Sequence, residues 1–233
     1  MTNQMLDTSP RFTARLAGFF YVLTTLTGMF ALVLGGKLFV SGDPAATAAN
    51  VLAHASLAWI SPAANLIATA CYVVVTALLY VLFKPVNRNL SLIAAFLSLV
   101  GCAAGAGSEA FDLAPAIVLG NAQHLGAFTT EQWQTLAYTF FKLNALTYNI
   151  AMVFFGLYCV LIGWLAFRSG FLPRIVGVLM AIAGLGWLTM LSPPLNHVLS
   201  DYTSITGLVG EGVFALWLLV FGVTAEKWKS VSG

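Results

Sequence analysis

Six long apolar runs recur along this chain, separated by short gaps that hold most of the polar residues. They predict membrane spans at about 16–36, 60–83, 90–110, 143–167, 175–191 and 205–223. Each is near the ~20 residues that a helix rising about 1.5 Å per residue needs to cross hydrocarbon. A helix apolar on every face has no side suited to water, so its neighbours must be other helices or lipid. The expected fold is all-α: an integral membrane bundle of six transmembrane helices, with residues 1–233 forming a single membrane domain. The first run, from Leu16 to about Val40, exceeds the roughly 7–15 apolar residues of a secretory signal. It is therefore expected to be an uncleaved span.

Two helix starts are written in the gaps. Asp43 followed by Pro44 is an N-cap residue before a proline at the first helical position. It predicts a short outer surface helix through the Ala-rich stretch to Leu57. Thr129 with Gln132 three residues on is a capping box, so a helix beginning near Glu131 should run on into the fourth span.

Only 10 basic and 8 acidic residues occur in 233, and their placement orients the bundle. The pairs Arg11/Arg15, Lys84/Arg88, Arg168/Arg174 and Lys227/Lys229 occupy every second gap or tail. Lys and Arg accumulate on the cytoplasmic side of membrane proteins. Both termini are therefore expected in the cytoplasm. Lys37 and Lys142 are the exceptions, near outer span ends, where their long stems reach the interface. A composition of 60 % hydrophobic and 8 % charged residues excludes a soluble domain, since ordinary globular chains carry about 25 % charged residues. The net charge of +2 comes from these anchors and marks no nucleic-acid partner. Cys71, Cys102 and Cys159 lie singly in apolar stretches, as packing residues and not as a disulfide framework or metal knuckle.

Polar residues inside the spans carry the candidate chemistry. Ser61, Asn65, Thr69, Tyr72 and Thr76 follow one another at steps of 4, 4, 3 and 4, which places them on one helical face. Gly101, Gly105, Ser108 and Asp112 form a second such stripe. Both stripes are expected to face the bundle interior, where small residues let helices approach and polar ones bond across the contact. Glu109 and Asp112 lie toward the outer end of span three, and Lys142 near the outer start of span four. Glu211 is the deepest acid, six or seven residues inside span six, or about 10 Å at 1.5 Å per residue. An acid in hydrocarbon needs a partner or water, and Lys142 is the cation expected to supply it, with Glu109 competing. Two readings of Glu211 stand side by side: a structural tie between helices, and a proton, cation or ligand site.

Nearly every acid outside the termini, and all three histidines (His54, His124 and His197), fall on the expected outer side. That asymmetry implies one outward-opening polar cavity. Histidines and acids on one side are also the raw material of a metal site. Against that stand the absence of HExxH or HxxxH spacing, of a GxSxG elbow, and of a glycine-rich phosphate loop. No cofactor is expected.

The segments Phe154-Phe155-Gly156-Leu157-Tyr158-Cys159, Arg168-Ser169-Gly170-Phe171-Leu172-Pro173-Arg174 and Gly177-Val178-Leu179 resemble the bacterial membrane family called "domain of unknown function 4386". So do Leu82-Phe83-Lys84-Pro85-Val86-Asn87-Arg88-Asn89, Asp43 with Thr47 and Asn50, and Gly210-Glu211 before Leu216-Trp217-Leu218-Leu219. The resemblance runs from Arg15 to Trp228 and brings no activity with it. It implies a multi-pass protein of the bacterial cytoplasmic (inner) membrane and adds weight to Asn50 and Glu211. Ala58 departs from the family, which places a basic residue there.

The expected function is non-enzymatic: binding, sensing or passing a small molecule or lipid through a cavity that draws on Glu211, Lys142, Glu109, Asp112, Asn50, Asn65 and Thr69. The alternatives are an intramembrane metal-dependent hydrolase and a ligand-free structural or accessory subunit. The partners expected are membrane lipid and that ligand.

Overall fold

The structure, a computed structural model, describes residues 9–121 and 128–232. The described residues form helices joined by short turns and contain no strand. The helices are α1 (Pro10–Gly35), α2 (Pro44–Ala53), α3 (Ala55–Phe83), α4 (Arg88–Asn121), α5 (Thr130–Ser169), α6 (Arg174–Leu188), α7 (Pro193–Val220) and α8 (Ala225–Ser232). Six stretches, namely α1, α3, α4, α5, α7 and α6 continued by a 3-10 turn (Thr189–Leu191), are long and apolar enough to cross a membrane, and the chain is a multi-pass membrane protein. Their surfaces agree: Leu32, Leu191 and Val198 are among many large apolar side chains left exposed, as lipid-facing residues are.

Helices overrun the apolar runs that announce them. α5 has 40 residues, about 60 Å at 1.5 Å each, twice the ~30 Å of hydrocarbon. α4 continues past Asp112 and through Pro115 to Asn121, and α7 begins at Pro193, twelve residues before the apolar run at 205. Polar residues lower hydropathy without breaking backbone hydrogen bonds, so hydropathy marks the embedded stretch and not the helix end. The surface helix stops at Ala53 instead of Leu57; His54 breaks it, and Leu57 already belongs to α3. The amphipathic tail helix α8 had no counterpart in the sequence reading.

The chain divides into two compact units, and α1, α3, α4 and α5 each contribute a stretch to both. The unit of Thr24–Ala70 and Cys102–Ala151 is organised around α2. Asp43 caps that helix by accepting the Ala46 N–H at 2.8 Å, with Pro44 at the first position. Fully buried Thr47 ties the preceding loop down: its Oγ1 lies 2.8 Å from Asp43 O and accepts the Val40 N–H at 3.1 Å. Ala48 and Val51 then pack with Leu38, Leu119, Trp133 and Phe141 into a buried apolar cluster. The capping box at the start of α5 is formed in both directions: Gln132 Oε1 accepts the Thr129 N–H at 2.8 Å, and Thr129 Oγ1 accepts the Gln132 N–H at 3.3 Å.

The unit of Met1–Leu23, Cys71–Gly101 and Met152–Gly233 is held by close helix contacts. Gly163 on α5 meets Gly177 on α6, and Gly156 meets Gly184 one heptad away in the antiparallel direction. A Cβ on Gly163 would stand 2.6 Å from Gly177 O, and one on Gly184 would stand 2.6 Å from Gly156 O. Only glycine lets the two backbones touch at both places. At one end of this unit, side chains take up helix-terminal carbonyls. Arg15 Nη2 donates to Val220 O at 3.1 Å, and Trp228 Nε1 to Leu82 O at 2.9 Å. Free carbonyls at a helix end favour such donors.

Candidate functional site

An interior polar site of the second unit is assembled from four helices. Tyr21 on α1 donates from Oη to Glu211 Oε2 at 2.6 Å. Trp187 on α6 donates from Nε1 to Glu211 Oε1 at 2.6 Å. Each oxygen of the carboxylate on α7 therefore has its own neutral donor from another span. A fourth helix joins through Tyr72 on α3, whose hydroxyl lies 3.1 Å from that of Tyr21. The rings around them are packed edge to face: Tyr21 against Tyr72 at 5.3 Å, Tyr72 against Phe155 at 4.9 Å and Tyr21 against Phe214 at 6.3 Å between centroids. Such pairs are favourable and rigid. Tyr21, Tyr158 and Phe214 are fully buried, and Glu211 and Trp187 partly so.

Local sequence explains how Trp187 reaches its acceptor. Gly207 sits one turn before Glu211 on α7, and the Trp187 ring lies across it. A Cβ there would come within 3.0 Å of Trp187 Cε2. Gly186 beside Trp187 is also covered: Thr203 Oγ1 donates to Gly186 O at 3.4 Å and shares a 3.1 Å hydrogen bond with Thr189. The α6–α7 contact thus aims the indole N–H at position 211.

The chemistry follows from the donor inventory. An indole N–H can only donate, so Trp187 pins Oε1 to an accepting role. A phenol can donate or accept. With Glu211 ionised, Tyr72 donates to Tyr21 and Tyr21 to Glu211. With Glu211 protonated on Oε2, that proton is donated to Tyr21, and Tyr21 donates to Tyr72. The same three groups therefore hold either state by reversing the direction of a short hydrogen-bond chain.

Glu211 lies in the unit just described, whereas Lys142, Glu109, Asp112, Asn50, Asn65 and Thr69 all belong to the other. The two oxygens of Glu211 accept from Tyr21 and Trp187. Lys142 is exposed, with its ammonium over the rings of Phe39 at 5.2 Å and Tyr138 at 5.3 Å. Cation–π attraction satisfies a lysine without a carboxylate, and Tyr138 sits one turn before it on the same helix.

Within that other unit, Asn65 Nδ2 donates to the buried Glu109 across a long 3.5 Å. Asp112 follows one turn later on α4 and is partly buried, as are Asn50 and Thr69. Asn144 Nδ2 donates to Ser108 O at 2.9 Å and joins α5 to the same stretch of α4. His54 and His197 are exposed, and His124 lies outside the described residues. Among the described residues no three His, Cys, Asp or Glu side chains come together to hold a metal. Cys71, Cys102 and Cys159 are buried free thiols.

Sequence reasoning placed Tyr72 on an interior stripe and missed Tyr21 and Trp187. The available signal was that a Tyr or Trp in mid-span has a polar atom that hydrocarbon cannot satisfy.

The family described as Domain of unknown function (DUF4386) matches residues 16–222. An uncharacterized protein of Archaeoglobus fulgidus is similar: 29 % identical over 154 residues, which cover 64 % of this chain and 76 % of that one. No solved structure matches.

Proposed function

This chain belongs to the DUF4386 family across nearly its whole length, and we propose that it is a non-enzymatic membrane protein that binds, senses or passes a small molecule or lipid, with Glu211 as the group that changes state. One observation carries the reading: a carboxylate in a spanning helix has both oxygens held by neutral donors from two other spans. A carboxylate needed only as a tie between helices would be served as well by an amide. A carboxylate wired to a reversible tyrosine chain can exchange a proton or meet a cationic or hydrogen-bond-donating ligand without rebuilding its surroundings. The proposed setting is the bacterial cytoplasmic membrane with both termini inside, which rests on the four Arg/Lys pairs.

The test compares wild type with Glu211→Gln, which keeps the shape and most of the bonds. Trp187 emission should change with pH in wild type and stay flat in Glu211→Gln, with Trp187→Phe subtracted to isolate its signal. Native mass spectrometry should find a small molecule or lipid retained by wild type and lost from Glu211→Gln. The reading fails if both proteins retain the same molecules and respond alike to pH.

A further inference from the structure

A cavity of about 260 Å³ lies in the same unit as Glu211, among the ends of α5 and α7, the start of α1 and the starts of α6 and α8. Its lining includes Arg11, Lys227, Thr224, Phe171, Trp217 and Phe221. Two of these are cations. Other basic residues of the same end are already engaged: Arg15 donates to Val220 O, Arg168 lies 5.7 Å from the Trp164 ring, and Arg174 lies 5.4 Å from the Phe167 ring. Among the described residues, Arg11 and Lys227 have neither a carboxylate nor a ring partner, and both are exposed on the rim of one cavity.

The remaining walls are of two kinds. Backbone is presented by the turns at Gly170 (φ +69°) and Gly222 (φ +67°), left-handed positions that glycine adopts without strain. Pro173 and Thr224, the residues that precede α6 and α8, complete the rim. The side toward the spans is apolar. Phe171 forms a buried floor, and the Trp217 and Phe221 rings pack at a tilt, 4.5 Å between centroids. Phe221, Val220 and Leu216 carry this wall on as an exposed apolar surface at the end of α7. Cations above an apolar, aromatic track match a phosphate head on a hydrocarbon tail.

We infer that this cavity is a binding site for the phosphate-bearing headgroup of an anionic phospholipid, with Arg11 and Lys227 as its cations and the Trp217–Phe221 face as the path of an acyl chain. Free phosphate shares the head chemistry but has no use for the apolar track. The site is separate from Glu211 and stands whether or not that carboxyl has the role proposed above.

The test uses the full chain in a neutral detergent. Phosphatidylglycerol, phosphatidylcholine and inorganic phosphate are compared by native mass spectrometry and by the thermal shift each produces. Phosphatidylglycerol should be retained and should raise the melting temperature, and the other two should do neither. In Arg11→Gln/Lys227→Gln its apparent affinity should fall about twenty-five-fold, a factor of five per basic residue removed. In Lys84→Gln/Arg88→Gln, which removes the same charge from another gap, it should stay near wild type. Thr224→Trp, which fills the cavity and keeps both charges, should also release the lipid. Equal losses in the two double variants would show charge attraction without a site and overturn the inference. So would retention of phosphatidylglycerol by Thr224→Trp, equal retention of phosphatidylcholine, or an equal shift with inorganic phosphate.

Discussion

Replacing Glu211 separates its hydrogen bonding from its charge. Glu211→Gln keeps a carbonyl oxygen for the Trp187 N–H and offers an amide N–H to Tyr21 Oη. Tyr21 then turns its own hydroxyl to Tyr72, 3.1 Å away, so every polar atom stays partnered. Glu211→Leu removes both acceptors. Tyr21 can fall back on Tyr72, but Trp187 Nε1 loses the acceptor it now holds at 2.6 Å. Hydrogen bonds between membrane helices contribute about 0.6 kcal/mol on average and up to about 1.7. An orphaned buried donor costs about 1–3 kcal/mol. Together these place Glu211→Leu about 1–3 kcal/mol below wild type, and Glu211→Gln within about 0.5–1 kcal/mol of it. The cost of inserting the acid is common to the folded bundle and to the separated helices, so it largely cancels. For a chain of this size each kcal/mol moves the midpoint by about 2–4 °C. Thermal unfolding in detergent should therefore lower Glu211→Leu by roughly 2–12 °C and leave Glu211→Gln nearly unmoved. Equal midpoints for wild type and Glu211→Leu, or equal damage from both substitutions, would refute this account of the site.

Gly163→Ala should destabilise by about 1–3 kcal/mol, because its Cβ would lie 2.6 Å from Gly177 O and from Ala181 N, both backbone atoms. Gly28→Ala, with nothing within 4 Å, should be neutral or slightly stabilising in the same melting assay. Asp43→Ala should cost about 1 kcal/mol by removing the cap of α2 and should raise amide exchange at Ala46, the N–H it accepts. Membrane-impermeant thiol reagents applied to intact cells should label a cysteine placed beside Asp201 and spare one beside Arg88. Labelling at Arg88 would reverse the proposed orientation.

Much of the architecture needs no tertiary information. Six apolar runs declare six spans, because a backbone in hydrocarbon must satisfy itself as a helix. The Asp43–Pro44 and Thr129–Gln132 starts are equally legible, since a cap involves residues only three positions apart. The interior faces of α3 and α4 can be read from their polar spacing.

The candidate site is different in kind. Tyr21 is 190 positions from Glu211, and it lies in a run where almost every neighbour is apolar. Periodicity there does not say which face turns inward, because lipid and protein interior are both apolar and leave the same pattern. The sequence alone could show that Glu211 needed a partner, and it pointed to the nearest available charge. Only the glycine contacts of α5 with α6, and the seating of Trp187 over Gly207, decided that the partners are two neutral aromatic donors. Lys142 could then be served by the rings of Phe39 and Tyr138, because a cation is content with aromatic faces when the fold brings them to it. Local rules therefore determined the spans and their starts, whereas packing between segments far apart in the chain decided which polar atoms meet.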